Sequence, residues 1–201
     1  MSDETAVLYA AEQIERRVHE LGDAISGDYA GRSPVLVSAL KGSTMFLADL
    51  IRRVDLPLRV DFMSISPYGP GHASDGFKVV RVLKDLDHDI GGQDVLIVED
   101  LIDTGLTLSY LIATLHDRRP ASIRVCTLLD KTVRRIAPLE ISYTGFDCPD
   151  LFVVGYGLDH RERYRNLPFI AILPESVKRQ EGVDLERLMV SHDVAGARGD
   201  A

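Results

Sequence analysis

Residues 95–107 read VLIVEDLIDTGLT and contain the most informative turn of the chain. The first four residues are apolar and mostly β-branched, which predicts a strand buried on both faces. Residues 106–115 carry apolar side chains at helical spacing, so residues 99–105 connect a buried strand to a helix. Open α/β sheets bind ligands beyond the carboxyl ends of their strands. The stretch therefore predicts an α/β fold with a ligand site at this turn.

The segments on either side repeat the alternation of strand and helix. Upstream, residues 35–40 predict a strand, residues 41–43 a tight loop and residues 45–51 a helix. Downstream, further strands are predicted at 123–129, 151–154 and 169–173. This alternation favours a parallel-rich central sheet flanked by helices.

The N-terminal segment and one internal loop complete the pattern. Apolar residues at helical spacing predict a helix over residues 7–21, with Gly22 as its stop. Strands at 58–65 and 78–83 flank residues 66–77, which contain two prolines and three glycines. A loop of this length and composition is typical of a mobile or functional segment.

The size and composition limit the architecture and the partners. At 201 residues we expect a single domain over residues 5–179, followed by a frayed tail at 180–201. The net charge of −8 disfavours nucleic acid as a partner.

The acidic N-terminal segment is unlike a secretory signal, and no apolar run approaches the ~18 residues of a membrane span. The two cysteines, Cys126 and Cys148, lack the spacing of a zinc site or disulfide framework. We therefore expect a cytoplasmic protein with no membrane partner.

The turn at residues 103–107, DTGLT, has the donors that a phosphate needs. A helix N-terminus offers free N–H groups and the positive end of its dipole. Gly105 allows close approach, and Thr104 and Thr107 add hydroxyl donors. The alternative is a plain strand-to-helix turn with a threonine cap, since short motifs also occur without a ligand. A Walker loop is excluded because no GxxxxGK[ST] is present.

Glu99 and Asp100 favour the ligand site over the plain turn. Adjacent carboxylates at the edge of a sheet are good acceptors for sugar hydroxyls and for hydrated magnesium. Taken alone, the pair would also suit a solvated strand end. Together with the phosphate cradle, the two acids indicate a ribose phosphate site with Mg²⁺ as cofactor.

These residues resemble a known family. Four apolar residues, two acids, two apolar residues and D[TS]GxT form a stretch similar to the phosphoribosyl pyrophosphate signature of type I phosphoribosyltransferases. Other segments resemble the hypoxanthine-guanine phosphoribosyltransferase branch. They are the pyrophosphate loop at 40–42, the purine-contacting lysine segment at 128–131, the base-binding hood at 152–159 and the segment 164–168. The resemblance runs from about Val35 to Leu173.

The resemblance implies roles at the turn. Glu99 and Asp100 would bind the ribose hydroxyls and the water ligands of a metal ion. The 5-phosphate would be held by the residues of the cradle, Thr104, Gly105, Leu106 and Thr107. Asp103 would face N7 of the base and act as the catalytic residue.

The resemblance also implies sites for the base and the pyrophosphate. Lys131 would bond O6 of the purine, Phe152 would stack on it, and Val153 would offer backbone groups to its edge. Asp159 would ligate a second magnesium ion near the base. The pyrophosphate would be held by Lys41, Gly42 and Arg165.

Taken singly, several of these residues have simpler interpretations. Phe152 would be a core residue, Arg165 a surface residue and Asp159 a loop acid. A lone lysine is usually solvated, although the position of Lys131 directly after an apolar strand favours a site.

The implied fold is the type I phosphoribosyltransferase fold, an α/β fold with a small hood and a long mobile loop. The hood would comprise about residues 140–173 with the N-terminal part, and the loop residues 66–77. The family usually has Ser and Tyr adjacent at the start of this loop. Here Pro67 separates Ser66 from Tyr68 and removes one N–H donor.

The implied activity is purine salvage, in which a 5-phosphoribosyl group passes from phosphoribosyl pyrophosphate to hypoxanthine or guanine. The products would be IMP or GMP and pyrophosphate, and the family implies a homodimer or homotetramer. Two alternatives remain. One is a phosphoribosyltransferase-like regulator that binds nucleic acid, which the acidic charge and Lys131 disfavour. The other is a transferase that prefers xanthine.

Overall fold

The computed structural model describes residues 6–66 and 81–174. In chain order its elements are β1 (Ala6–Tyr9), α1 (Ala11–Asp28), β2 (Val35–Ala39), α2 (Thr44–Ile51), β3 (Arg59–Ser66), β4 (Arg81–Lys84), β5 (Asp94–Ile102), α3 (Leu106–His116), β6 (Ser122–Asp130), a 3₁₀ helix (Thr132–Arg134), β7 (Tyr143–Asp147), β8 (Val153–Val154) and β9 (Ile170–Ile172). Apart from Ser66, the predicted mobile loop lies outside the described residues, as do Pro67 and the tail at 180–201. No helix of the described part combines the length and the apolar character needed to cross a membrane.

The chain divides into two compact units. The larger is Glu15–Asp150, and the smaller comprises Met1–Ile14 and Leu151–Ala201. The larger unit is built on a six-stranded sheet in the order β4-β3-β2-β5-β6-β7. Neighbouring strands from β3 to β7 pair in parallel, whereas β4 pairs antiparallel with β3. The carboxyl ends of β2, β5 and β6 therefore meet at one edge of the sheet.

Strand β5 lies at the centre of the larger unit. Its residues 95–98 are fully buried, and Val95 and Ile97 lie in the same core cluster as Leu108, Leu111 and Leu115 of α3. Fully burying one such side chain contributes about 1.5–3 kcal/mol. The turn between β5 and α3 thus begins and ends in well-packed structure.

The smaller unit has its own antiparallel sheet in the order β1-β9-β8. Its core is a separate cluster of buried side chains: Val154, Tyr164, Leu167, Phe169, Ala171 and Leu173. Strand β7 lies within the range 140–173 predicted for the hood, but it belongs to the six-stranded sheet.

The prediction of a helix over residues 7–21 is wrong at both ends. Ala6–Tyr9 form β1, which pairs antiparallel with β9. Helix α1 begins at Ala11 and continues through Gly22 to Asp28. A Cβ on Gly22 would lie 2.6 Å from Cβ of Arg53, so this glycine permits close packing instead of ending the helix.

Strand β5 is longer than the four apolar residues predict. Its parallel ladder with β6 continues through Glu99↔Thr127 to Ile102↔Asp130. The acidic pair therefore lies within the strand and not after it. Hydrogen bonding to β6 keeps these residues extended, although their side chains are acidic.

Candidate active site

The carboxyl end of β5 and the start of α3 line a cavity of about 220 Å³. The lining residues are Glu99, Leu101, Ile102, Asp103, Thr104, Gly105, Thr107 and Leu108. Five of them are predicted ribose or phosphate ligands. Leu106, predicted with them, is 54% exposed and is not among the lining residues.

The N-terminus of α3 suits an anion. Gly105 is its N-cap residue with φ of 80°, a left-handed conformation that favours glycine, and no side-chain hydrogen bond caps the helix there. The Thr104 hydroxyl lies 3.5 Å from the Leu106 N–H, which is too long for a strong bond. The first N–H groups of α3 and the helix dipole can therefore act on a bound anion.

The segment after β6 fixes the backbone of this turn. The carbonyl of Thr104 accepts hydrogen bonds from the N–H groups of Ile136 at 2.9 Å and Ala137 at 3.1 Å. The Lys131 N–H donates to the Ile102 carbonyl at 2.9 Å. The cradle is thus held from both its strand side and the neighbouring loop.

The two acids of β5 have different surroundings. Burial raises the pKa of Glu99 well above its ordinary value, and the neighbouring Asp100 carboxylate raises it further. Asp100 Oδ1 accepts a hydrogen bond from the Leu101 N–H at 2.8 Å. The pair is therefore a site at which the second negative charge is disfavoured unless a cation or a hydrogen-bond donor is near.

The loop at residues 40–43 approaches this acidic pair. A Cβ on Gly42 would lie 1.8 Å from Asp100 Oδ2, so only glycine allows the loop to lie this close. The peptide bond between Leu40 and Lys41 is cis. The structure thus brings the predicted pyrophosphate loop and the predicted metal-binding acids together.

Two buried serines, which sequence reasoning missed, anchor the same loop. The hydroxyls of Ser38 and Ser43 lie 2.6 Å apart, and both residues are fully buried. Ser43 donates to the Ala39 carbonyl at 2.5 Å, and Ser38 also lies 3.0 Å from the Val98 carbonyl. The signal available was a serine at position 38 within an otherwise apolar strand.

Lys131 follows β6 directly and is only 6% exposed. Nearby, burial raises the pKa of the Cys148 thiol, while Lys131 lowers it and Asp103 and Asp150 raise it. The charges of these three side chains therefore act on Cys148, and two of them, Lys131 and Asp103, are predicted to read the purine.

Asp103 forms an ion pair that the sequence did not indicate. Nε of Arg134 lies 2.6 Å from Asp103 Oδ1. The same guanidinium donates from Nη1 to Asp150 Oδ1 at 3.1 Å. Arg134 and Asp150 stand among other charged residues, so the sequence held no signal that singled them out.

The smaller unit contains the other predicted site residues. The half-buried ring of Phe152 packs edge to face with His160, with ring centroids 5.5 Å apart, and Val153 is buried in β8. Asp159 Oδ1 and Arg165 Nη2 form an ion pair at 2.8 Å. Arg165 Nη1 also donates to the Gly157 carbonyl at 2.8 Å. The predicted metal ligand and the predicted pyrophosphate-binding arginine therefore neutralise each other.

Within residues 6–66 and 81–174, no group of three or more His, Cys, Asp or Glu side chains is arranged to hold a metal ion alone. Mg²⁺ typically keeps several waters and uses one or two carboxylates together with substrate phosphates. The adjacent carboxylates of Glu99 and Asp100 fit that mode of binding.

Comparison with known proteins defines first the class and then the family. Residues 5–161 match the phosphoribosyl transferase domain. The hypoxanthine-guanine phosphoribosyltransferase of Mycobacterium avium is 50% identical over 184 residues, covering 89% of this chain and 90% of that protein. The Bacillus subtilis protein of that name is 47% identical over 171 residues, covering 85% and 94%. A crystal structure of a hypoxanthine phosphoribosyltransferase from Staphylococcus aureus matches with a TM-score of 0.80 and 47% identity, covering 86% of this chain and 92% of that one. The chain belongs to the hypoxanthine-guanine phosphoribosyltransferase family, which confirms the predicted fold class and family.

Proposed function

We propose that this protein transfers the 5-phosphoribosyl group of phosphoribosyl pyrophosphate to hypoxanthine or guanine, forming IMP or GMP and pyrophosphate. The observation that carries the proposal is the cavity at the end of β5, which brings Glu99, Asp103 and the N-terminus of α3 together. An anion-binding helix terminus beside carboxylates suits a sugar phosphate, whose phosphate needs donors and whose hydroxyls need acceptors.

In the proposed reaction, N9 of the base attacks the anomeric carbon and the bond from that carbon to pyrophosphate breaks. Positive charge builds on the ribose ring while negative charge builds on the leaving group. The hydroxyls of Thr104 and Thr107 and the first N–H groups of α3 hold the 5-phosphate. Glu99 and Asp100 orient the ribose, and Asp103 takes or shares the proton at N7 of the base.

Lys41, Gly42 and Arg165 bind the pyrophosphate in this proposal. Preorganised donors of this kind stabilise charge that develops on a leaving group. For Arg165 to do so, its ion pair with Asp159 must be exchanged for the substrate. Asp159 is then released for a cation, so the two predicted roles are compatible.

The metal that fits this site is Mg²⁺, held by Glu99 and Asp100, with Asp159 as ligand of a second ion. When bound, it neutralises part of the charge of the pyrophosphate. We also propose a cytoplasmic homodimer or homotetramer, for which the family resemblance is the support.

By the family resemblance, we propose that Lys131, Phe152 and Val153 bind the base. An ammonium has donors only, which suits the O6 acceptor of hypoxanthine and guanine. Phe152 supplies an aromatic face for the purine, and the backbone of Val153 pairs with its edge.

A spectrophotometric panel tests the proposal. Hypoxanthine, guanine, xanthine, adenine and uracil are each mixed with the protein, phosphoribosyl pyrophosphate and Mg²⁺, with and without a chelator. We expect turnover of hypoxanthine or guanine that the chelator abolishes. A preference for xanthine would replace the proposed substrate, and no turnover of any base would favour a regulator without catalysis.

A further inference from the structure

The guanidinium of Arg134 is a charged group that contacts the lining of the cavity, and the family resemblance assigns it no role. It contacts two carboxylates, with Nε 2.6 Å from Asp103 Oδ1 and Nη1 3.1 Å from Asp150 Oδ1. Asp103 lines the cavity. Arg134 therefore contacts the side chain that is predicted to face N7 of the purine.

The local backbone explains why Arg134 lies there. The 3₁₀ helix Thr132–Arg134 starts immediately after Lys131, and the Arg134 N–H donates to the Lys131 carbonyl at 2.9 Å. One short turn thus connects the predicted O6 donor to the partner of Asp103 along the chain.

The ion pair between Asp103 and Arg134 has little value for stability. The two side chains are 44% and 45% exposed, and exposed ion pairs contribute little to the free energy of unfolding. Yet Asp103 Oδ1 itself is shielded from solvent and makes no hydrogen bond of good geometry among the described residues. Its charge is therefore compensated by the guanidinium of Arg134.

We propose that Arg134, held in turn by Asp150, is a positioning residue that fixes the Asp103 carboxylate so that its other oxygen faces N7 of the base. This inference rests on the proposed transfer to a 6-oxopurine. With Oδ1 engaged by Arg134, rotation about the terminal bond of Asp103 is restricted and Oδ2 is left for the substrate. Lys131 and Arg134 then act as a pair, one binding the base directly and the other acting through Asp103.

A double-mutant cycle tests this inference with the full-length protein. The variants are Arg134→Gln, Arg134→Lys, Asp103→Asn and the double variant Arg134→Gln/Asp103→Asn, each assayed with hypoxanthine, phosphoribosyl pyrophosphate and Mg²⁺. We expect Arg134→Gln to lower kcat about tenfold, within the range of coupling between contacting residues. The KM for phosphoribosyl pyrophosphate should stay unchanged, because the cradle is untouched. Arg134→Lys keeps the positive charge but loses the contact with Asp150. Its kcat should therefore lie between those of Arg134→Gln and wild type.

The decisive measurement is the effect of Arg134→Gln once Asp103 has been changed. Asp103→Asn alone should lower kcat by about 10²- to 10⁴-fold, the usual contribution of general-base assistance. If Arg134 acts through Asp103, the double variant should be no slower than Asp103→Asn. An equal loss in both backgrounds, or no loss in either, would overturn the inference.

Two further variants separate positioning from a general effect of charge. Asp150→Asn removes the second partner of Arg134 and should reproduce part of the Arg134→Gln loss. Arg52→Gln removes an arginine at the C-terminal end of α2 that is 72% exposed and also pairs with an aspartate, and it should leave kcat unchanged. An equal loss in Arg52→Gln would contradict positioning by Arg134. Failure of the proposed function would appear separately, as a wild-type protein that transfers to no purine.

Discussion

The side chain of Lys131 is charged and yet shielded from solvent. Lys131 is 6% exposed, and a buried charge costs free energy unless a partner compensates it. The carboxylates of Asp103 and Asp150 raise the pKa of the Cys148 thiol, and the ammonium of Lys131 lowers it. An ammonium kept in such surroundings is poised to gain a hydrogen bond when a base with an acceptor arrives.

The specificity for 6-oxopurines should depend on Lys131. Its ammonium has three donors and no acceptor, so it bonds O6 but meets another donor in the 6-amino group of adenine. We expect wild type to reject adenine by a factor on the order of 10⁴, as sites built around one polar contact do. Lys131→Ala should lower kcat/KM for hypoxanthine and guanine and thereby narrow the gap to adenine. The measurement is kcat/KM for the three bases in both proteins, and a variant that kept the full preference would show that Lys131 does not read O6.

Gly42 should not tolerate a side chain. A Cβ there would lie 1.8 Å from Asp100 Oδ2, so the loop at 40–43 or the carboxylate has to move. We expect Gly42→Ala to raise the KM for phosphoribosyl pyrophosphate by about tenfold or more, since displacing a contact of this kind costs roughly 1–3 kcal/mol. The matched control is Gly27→Ala in α1, where nothing lies within 4 Å of the added carbon. Gly27→Ala should leave KM unchanged and stabilise the helix by about 0.5–1 kcal/mol.

At the scale of elements, the strands and helices around the turn follow from local pattern. Apolar periodicity predicts β2, β5, α3 and β6 because each buries a face in one core. It predicts α2 because that helix buries Phe46, Leu47 and Leu50. Periodicity does not reveal which residues a neighbouring strand keeps extended. β5 therefore runs to Ile102, beyond its apolar part, and β1 forms from residues whose spacing also suits a helix.

Part of the candidate site was predictable from sequence, because a local motif can reveal only residues that are neighbours along the chain. The residues of the β5–α3 turn follow one another in sequence, so a local motif identifies them. Arg134 and Asp150 reach the site because later segments return to it, and only tertiary structure brings them there. The sequence carries no periodic or motif signal for such contacts.

The connection between β2 and α2 should depend on the buried hydroxyl of Ser43. Ser43→Ala removes the bond to the Ala39 carbonyl and the contact with Ser38. Leaving a buried polar group without its partner costs about 1–3 kcal/mol. We expect a loss of that size in the free energy of unfolding, together with a raised KM for phosphoribosyl pyrophosphate.

Denaturant unfolding and steady-state kinetics check this expectation. The control is Thr114→Ala, which removes an exposed hydroxyl bonded to the Tyr110 carbonyl within α3. Its effect on stability should stay within about 0.5 kcal/mol, as for most surface substitutions. If Ser43→Ala were equally mild, the buried serine pair would not be what holds the loop.

At the scale of the whole larger unit, a charged cluster joins the end of α1 to β6 and β7. Asp28 Oδ2 accepts hydrogen bonds from the Tyr143 hydroxyl and from Arg124 Nη1, both at 2.8 Å. The Arg124 guanidinium also lies 5.4 Å from the ring centre of Tyr29. These contacts hold α1, β6 and β7 together, and they include the titratable carboxyl group of Asp28.

The contribution of Asp28 to the stability of the fold should depend on pH. The hydrogen bond from Tyr143 and then the charge and hydrogen bond of Arg124 lower the pKa of Asp28 from its ordinary 3.8. A carboxyl whose pKa is lower in the folded state contributes stability above its unfolded pKa, and this contribution is lost as pH falls through the folded pKa. Asp28→Asn should therefore lower Tm at pH 7, and the difference from wild type should shrink as the pH drops below about 4. The measurement is Tm for both proteins from pH 7 down to pH 3, or lower where both still unfold reversibly. Asp49→Asn, which removes the same charge from a partly exposed side chain of α2, should shift Tm much less at pH 7. A Tm difference for Asp28→Asn that stayed constant through this range would show that the carboxylate charge does not stabilise the fold.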